Sequence, residues 1–233
     1  MHSLKGNKVL ISPIDEILID KLRELDVDII RCNPIEHLIE YEKNHADMQL
    51  LIIDDTAFIS RDSIYLQPYL KDKYNVVVVY NLYKEYPGNV LLNALYISGK
   101  LICKEDSTAP QIIKYALDND IKIVNTKQGY SRCSALPLNS GAIITSDPSI
   151  YKSATSIGLK TLLISSGNIY LDEKNYGFIG GASGVIGDTV LFFGDIKTHP
   201  DYKAIIDFIK CEGMECHSLC DGILRDIGGF VAI

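Results

Sequence analysis

What this sequence lacks narrows its function before any motif is sought. It has no excess of basic residues: 23 Lys and Arg stand against 30 Asp and Glu, for a formal net charge of −7. The phosphate-neutralising footprint on which nucleic-acid binding rests is therefore missing, and no nucleic-acid partner is expected. It has no long hydrophobic run either. Stretches such as "NVVVVYNL" and "QLLII" fall far short of the roughly 20 apolar residues that span a bilayer, so no membrane span is expected. The opening "MHSLKGNKVLISPIDEILIDKL" lacks the basic, apolar and small-residue regions of a secretory signal, and a cytoplasmic location is the expectation. Six cysteines, at 32, 103, 133, 211, 216 and 220, are too sparse for a disulfide scaffold. In a reducing compartment they are expected as free thiols.

What is present is the composition of a folded globular protein, 47% hydrophobic and 23% charged over 233 residues. A chain of that length can bury about 70% of its unfolded surface. No low-complexity tract or interdomain linker interrupts it, so a single domain over 1–233 is expected.

A repeat runs through it. Five apolar runs end in a small residue and then meet an acidic or Pro-containing helix start: "VLISPID", "AFISRDS", "LICKEDS", "IITSDPS" and "LFFGDIKTHPD". Their last strand residues are Ser12, Ser60, Cys103, Thr145 and Gly194, spaced by 48, 43, 42 and 49 residues. That interval is one supersecondary unit. Asp62, Ser107 and Asp147 are good N-cap types, and Pro110, Pro148 and Pro200 stand where a first-turn proline is tolerated. "EILIDKLRELD", "SIYLQPYLKDK", "PQIIKYALDND", "SIYKSATSIG" and "YKAIIDFIKCEG" follow, with apolar residues three and four apart, as one buried helix face requires. Pro68 predicts a kink in the second. A further strand closes each unit: "VDIIRC", "NVVVVY", "IKIVNT", "KTLLIS" and "MECHSL".

Several units also carry a strand ahead of the marked one, joined by a tight turn at Ser98-Gly99-Lys100, Asn139-Ser140-Gly141 or Gly187-Asp188. "QLLIIDDTAFIS" splits at Asp54-Asp55-Thr56. The first unit is one strand short, and the terminal "DIGGFVAI" is one strand left over. Pairing it beside "KVLIS" completes five strand-strand-helix-strand modules, closes them into a pseudo-symmetric ring and buries Ile233 against the N-terminal strand. Residues 33–47, between the first two modules, are expected to add a short amphipathic helix.

Five such modules resemble the pentein, or guanidine-modifying-enzyme, superfamily: an α/β propeller that includes arginine and agmatine deiminases, dimethylarginine hydrolases, amidinotransferases and the non-catalytic ribosome anti-association factors. The resemblance covers the whole chain as a repeat pattern. "KQGYSRCS", "NYGFIGGASG" and "THPDY" are similar to an uncharacterised bacterial family of that fold. The superfamily's enzymes imply a cysteine nucleophile shortly before the last strand, a histidine on an inner strand, and carboxylates holding a guanidinium. This sequence departs from that: Asp226 stands near the cysteine's place, Cys220 is six residues earlier, and Cys133 occupies the histidine's place. A complete Cys-His-carboxylate set cannot be read off.

In a closed ring the first strands of the modules surround the axis. The candidate ligand-binding residues there are Asp54, Asn93, Ser183 and Asp226, with Gln128, Tyr130 and Cys133 of "KQGYSRC". Cys133 and Asp226 are the candidate catalytic pair, because nearby cations lower a thiol pKa and crowded carboxylates raise one. The plain alternatives are that Asp54 and Asp55 form a turn, that Asp226 caps a strand, and that Cys133 is a buried small hydrophobe. The glycines of "YGFIGGASGVIG" match neither a dinucleotide turn nor a phosphate loop, so no cofactor is expected. Cys211, Cys216, His217 and Cys220 are zinc-ligand types, but Cys216 and His217 are adjacent on a predicted strand and face opposite ways, so no metal is expected there. His199 is expected at a helix entry, capping or packing. The function expected is binding, with or without hydrolysis, of a small polar or cationic guanidino- or amino-acid-like metabolite on the axis. The rival is a non-catalytic interaction platform.

Overall fold

The computed structural model describes residues 7–13, 16–172, 174 and 176–233. Among these residues fifteen strands form five three-stranded sheets. In chain order these strands are β1 (Lys8–Ile11), β2 (Asp28–Arg31), β3 (Leu50–Ile53), β4 (Thr56–Ile59), β5 (Asn75–Val78), β6 (Leu95–Ile97), β7 (Lys100–Cys103) and β8 (Lys122–Asn125). They continue with β9 (Ala135–Pro137), β10 (Ile143–Thr145), β11 (Thr161–Leu163), β12 (Ser183–Ile186), β13 (Thr189–Phe192), β14 (Glu215–Ser218) and β15 (Phe230–Ala232). Four of the sheets share one plan, in which a middle strand runs antiparallel to the one before it and parallel to the one after its helix, and in the fifth β1 is parallel to β2 and antiparallel to β15. Three antiparallel pairs, β3–β4, β6–β7 and β12–β13, are joined by two-residue turns and β9–β10 by residues 138–142, whereas the parallel pairs need a helical crossover.

Those crossovers are α1 (Glu16–Glu24), α2 (Gln67–Leu70), α3 (Pro110–Asp118), α4 (Pro148–Ser156) and α5 (Tyr202–Cys211). Each longer helix buries one stripe, such as Leu18, Ile19 and Leu22 of α1 or Ile205 and Ile209 of α5. Asp147 caps α4 by accepting from the backbone N–H groups of Ser149 and Ile150 at 2.8 and 2.9 Å. The second helix is the shortest, because a 3-10 turn over Arg61–Leu66 takes the start of the predicted span and Pro68 sits in the first turn of what remains. The hairpins turn at residues with positive φ: Asp54 at 51°, Ser98 at 48°, Gly99 at 70° and Gly187 at 52°.

The first module is completed by the end of the chain. β15 lies antiparallel to β1, with Val9 opposite Ala232, Leu10 opposite Val231 and Ile11 opposite Phe230. Ile233 donates its N–H to the Lys8 carbonyl at 2.8 Å, but its side chain is half-buried rather than buried. The anchoring side chain is Phe230, buried edge-on to Phe193 with ring centroids 6.0 Å apart. β12 contacts both β15 and β9, and β9 contacts β6, so four of the five first strands are neighbours in series.

The segment 33–47 is not a helix. It is a succession of turns ending in a 3-10 turn over Ala46–Met48, which packs against β3 and β15. Ile35, Leu38, Ala46 and Met48 are buried, and Gln49 Nε2 ties the segment down by donating to the Asn33 and Lys43 carbonyls at 2.9 and 3.3 Å.

Candidate functional site

A cavity of about 270 Å³ opens where this looped segment meets the entries to β9, β12 and β15. Tyr41, Glu42 and His45 line it from the 33–47 segment, Tyr130 and Cys133 from the stretch ahead of β9, Leu171, Lys174, Tyr176 and Phe178 from that ahead of β12, and Asp226 from that ahead of β15.

Cys133 is 3% exposed. Its Sγ–H donates to Asp47 Oδ2 at 2.7 Å, and Asn93 Nδ2 donates to the sulfur at 3.1 Å. Asn93 also fixes the backbone there, its Oδ1 accepting from the N–H groups of Arg132 and Cys133 at 2.9 and 3.1 Å. Burial, with Asp47 and Asp226 beside it, pushes the Cys133 thiol well above its ordinary pKa. Burial raises Asp47 to about 6, against the pull of His45, Cys133 and Arg132 in the other direction and with a further push from Asp226. Asp226 also titrates higher than usual through burial, offset by His45 and by two backbone donors. Those donors are the N–H groups of Phe178 and Gly228, at 2.8 and 3.0 Å. A side chain at Gly177 or Gly181 would run into the Asp226 carboxylate, so glycine at both positions lets the backbone wrap that group closely.

The other wall is aromatic and carries a third carboxylate. Tyr130 stacks between Tyr86 and Phe178, with ring centroids 6.2 Å away on each side. Its hydroxyl donates to Glu42 Oε1 at 2.9 Å, while Asn89 Nδ2 donates to Glu42 Oε2 at 2.8 Å. Burial and the Glu42 charge raise the Tyr130 hydroxyl far above its usual pKa. Lys174 Nζ sits 4.9 Å over the Tyr41 ring.

Of the residues singled out in the sequence, Cys133, Tyr130 and Asp226 line this cavity and Asn93 stands directly behind the sulfur. Gln128 is one step removed: its Oε1 accepts from the Tyr130 N–H at 3.1 Å and its Nε2 donates to Asp147 at 3.0 Å. Ser183 is buried, its hydroxyl donating to the Ile179 carbonyl at 2.6 Å. Asp54 is not in the cavity. β3 ends at Ile53, leaving Asp54 on the exposed hairpin turn, where both its carboxylate oxygens accept from the Tyr96 hydroxyl at 2.7 Å. The turn reading is the right one for that residue.

His45, Asp47 and Glu42 are what sequence reasoning missed. His45 and Asp47 come from the loop before β3, not from an inner strand, and stand beside Cys133. One donor atom from each of His45, Asp47 and Cys133 lies within 4.8 Å of the others, the one grouping of three possible metal ligands among the described residues. Cys216 and His217 are successive residues of β14 and form no such group with Cys211 and Cys220. His199 sits at the entry to α5, its Nδ1 accepting from the Asp201 N–H at 3.1 Å.

The model of the family of unknown function DUF6873 matches residues 10–231. The chain belongs to that family. Curated protein sequences offer no match to it. Solved structures do. A dimethylarginine dimethylaminohydrolase in adduct with S-methyl-L-thiocitrulline superposes over 100% of both chains at a TM-score of 0.56 and 12% identity. An agmatine deiminase from C. jejuni covers 94% of this chain and 89% of its own at 0.55 and 10%. An inosamine-phosphate amidinotransferase from Streptomyces griseus covers 92% and 76% at 0.53 and 15%. At such identities the likeness is one of fold: this DUF6873 chain has the α/β pentein fold, with five modules of three strands and a helix each. No helix among the described residues of the DUF6873 chain is long and apolar enough to cross a membrane.

Proposed function

We propose that this DUF6873 protein closes its five sheets into a ring and binds a small cationic metabolite, of guanidino or amino type, in the cavity at Cys133. The observation carrying this reading is the convergence of a buried thiol, a histidine and the carboxylates Glu42, Asp47 and Asp226 on one aromatic-walled cavity. Buried carboxylates without a matching cation are costly, and a cationic ligand relieves that cost by charge-assisted hydrogen bonding. Aromatic faces add cation–π attraction of about 0.5–2 kcal/mol. The structural neighbours named for dimethylarginine, agmatine and amidino-group chemistry point to the same class of ligand.

The reading extends to turnover. In the ligand-free site Cys133 is a neutral thiol; a guanidinium arriving beside it offsets the Asp47 and Asp226 charges and favours the thiolate, which is the nucleophile. In a reducing cytoplasm the thiol remains free for that step. The sulfur adds to the guanidinium carbon as the C=N electron pair moves to nitrogen. The leaving amine takes the proton that His45 received from the thiol, and water, giving its own proton to His45, then displaces the sulfur.

The test is a thermal-shift series at pH 8, in chelator, against arginine, agmatine, methylated arginines and simple amines. A ligand that binds only the folded state raises the melting temperature by mass action. The wild type is expected to respond to at least one cation and Glu42→Gln with Asp226→Asn to lose the response. A flat series for the wild type overturns the reading.

A further inference from the structure

We propose that His45, Asp47 and Cys133 form a binding site for a zinc-class divalent metal ion, with a fourth coordination position open to the cavity. The residues lie 86 positions apart in sequence between Asp47 and Cys133, so no spacing motif reveals them. Their donor atoms are mutually within 4.8 Å, and four-coordinate zinc, with bonds of about 2.0–2.3 Å, wants its ligands about 3.5 Å apart. The set of one thiolate, one imidazole and one carboxylate suits borderline ions such as Zn²⁺ and Co²⁺ and poorly suits Mg²⁺ or Ca²⁺.

A second observation points to a ligand independently. Asp47 is 2% exposed, and its Oδ1 has no hydrogen-bond partner. A buried carboxylate oxygen without a hydrogen-bond partner is a ligand atom still to be satisfied. The other oxygen of the same carboxylate already shares the Cys133 proton across 2.7 Å. Metal binding replaces that proton: the S–H bond breaks, an S–metal bond forms, and the proton goes to solvent. The surrounding shell is also that of a held ligand, because Asn93 donates to the sulfur and fixes the Cys133 backbone at once, as second-shell groups orient a metal's ligands. Three protein ligands with one position facing a cavity is the open arrangement, in contrast to the closed set of a structural zinc. An ion seated there occupies the sulfur, so metal and a cation at Cys133 exclude each other, and the ion acts as a reversible block of the cysteine. The metal site does not depend on the amine reading.

The experiment is a Co²⁺ titration of the full-length protein, stripped of metal, with no amine present, followed by thiolate-to-cobalt charge-transfer absorption. One equivalent is expected to develop the band, Cys133→Ser to abolish it, and a Cys216→Ser, Cys220→Ser variant to keep it. Should Cys133→Ser fail to fold, peptide mass spectrometry on the wild type gives the same decision: Zn²⁺ is expected to slow alkylation of Cys133 at least tenfold and leave Cys211 unchanged. No band from folded wild type, a band that survives Cys133→Ser, or unprotected Cys133 overturns the proposal. Because the thermal-shift series is run in chelator, either reading can fail while the other stands.

Discussion

Asp47→Asn should make the free protein more stable at pH 8 and less able to bind a cation. Burial, with Asp226 nearby, raises the wild-type carboxyl from its ordinary 3.8 to about 6 in the fold. Moving a carboxyl between those two values is worth about 3 kcal/mol, at about 1.4 kcal/mol per factor of ten. The sign follows from proton uptake: between pH 6 and 4 the folded chain holds a proton on Asp47 that the unfolded chain releases, so stability is greater below this window and is lost as pH rises through it. Above pH 6 the whole cost is present. Asparagine keeps the size and an oxygen to accept from the thiol, and it cannot ionise. The difference in unfolding free energy between variant and wild type, from urea denaturation followed by circular dichroism, should therefore approach about 3 kcal/mol at pH 8 and shrink toward zero near pH 4. A variant that is less stable than wild type at pH 8, or a difference independent of pH, refutes the argument that burial of the Asp47 carboxylate outweighs the pull of His45, Cys133 and Arg132.

Two further outcomes follow from the same structure. Phe230→Ala should cost about 3–5 kcal/mol, as truncation of a fully buried phenylalanine does, because Phe230 anchors β15 beside β1 and packs on Phe193; a urea midpoint that moves by less than 1 kcal/mol equivalent contradicts this. His199 behaves oppositely to Asp47: burial lowers its pKa from 6.5, so the unfolded chain takes up the proton first and stability falls as pH drops below 6.5. In an Asp47→Asn background, which removes one of the two opposing carboxylate titrations and leaves that of Asp226 common to both proteins, adding His199→Gln should flatten the fall in urea midpoint between pH 7 and 5, and an unchanged slope counts against it.

The five modules were legible because each states its own grammar: an apolar run, a cap or proline, a helical stripe and another apolar run, with glycine or a turn residue where φ must be positive. The pairing of the chain ends was legible by subtraction, one module lacking a strand and one strand lacking a module. The site was legible only where it rides on that grammar. Asn93, Cys133 and Asp226 could be placed because they precede first strands, and Tyr130 because it neighbours Cys133. Asp54 was misplaced because the split of "QLLIIDDTAFIS" fixes a turn without saying which end of the strand faces the other modules. The same strand brings Asp47 to the cavity from its opposite end. His45, Asp47 and Glu42 stayed hidden because residues 33–47 have neither helical nor strand period; their backbone is held by tertiary contacts such as those of Gln49. What did mark that segment was its chemistry, with Tyr41, Glu42, His45 and Asp47 within seven positions.

The most direct test of the claim that the cavity at Cys133 is built for cations is to let the thiol choose between electrophiles of opposite charge. Wild-type protein in chelator, treated separately with 2-bromoethylamine and with iodoacetate, would be digested and the alkylation rate of each cysteine read by mass spectrometry. With Glu42, Asp47 and Asp226 around the sulfur, the cation-to-anion rate ratio at Cys133 should exceed that at the exposed Cys211 by at least tenfold, which corresponds to about 1.4 kcal/mol. Equal ratios at the two cysteines, or a preference of Cys133 for iodoacetate, would contradict it.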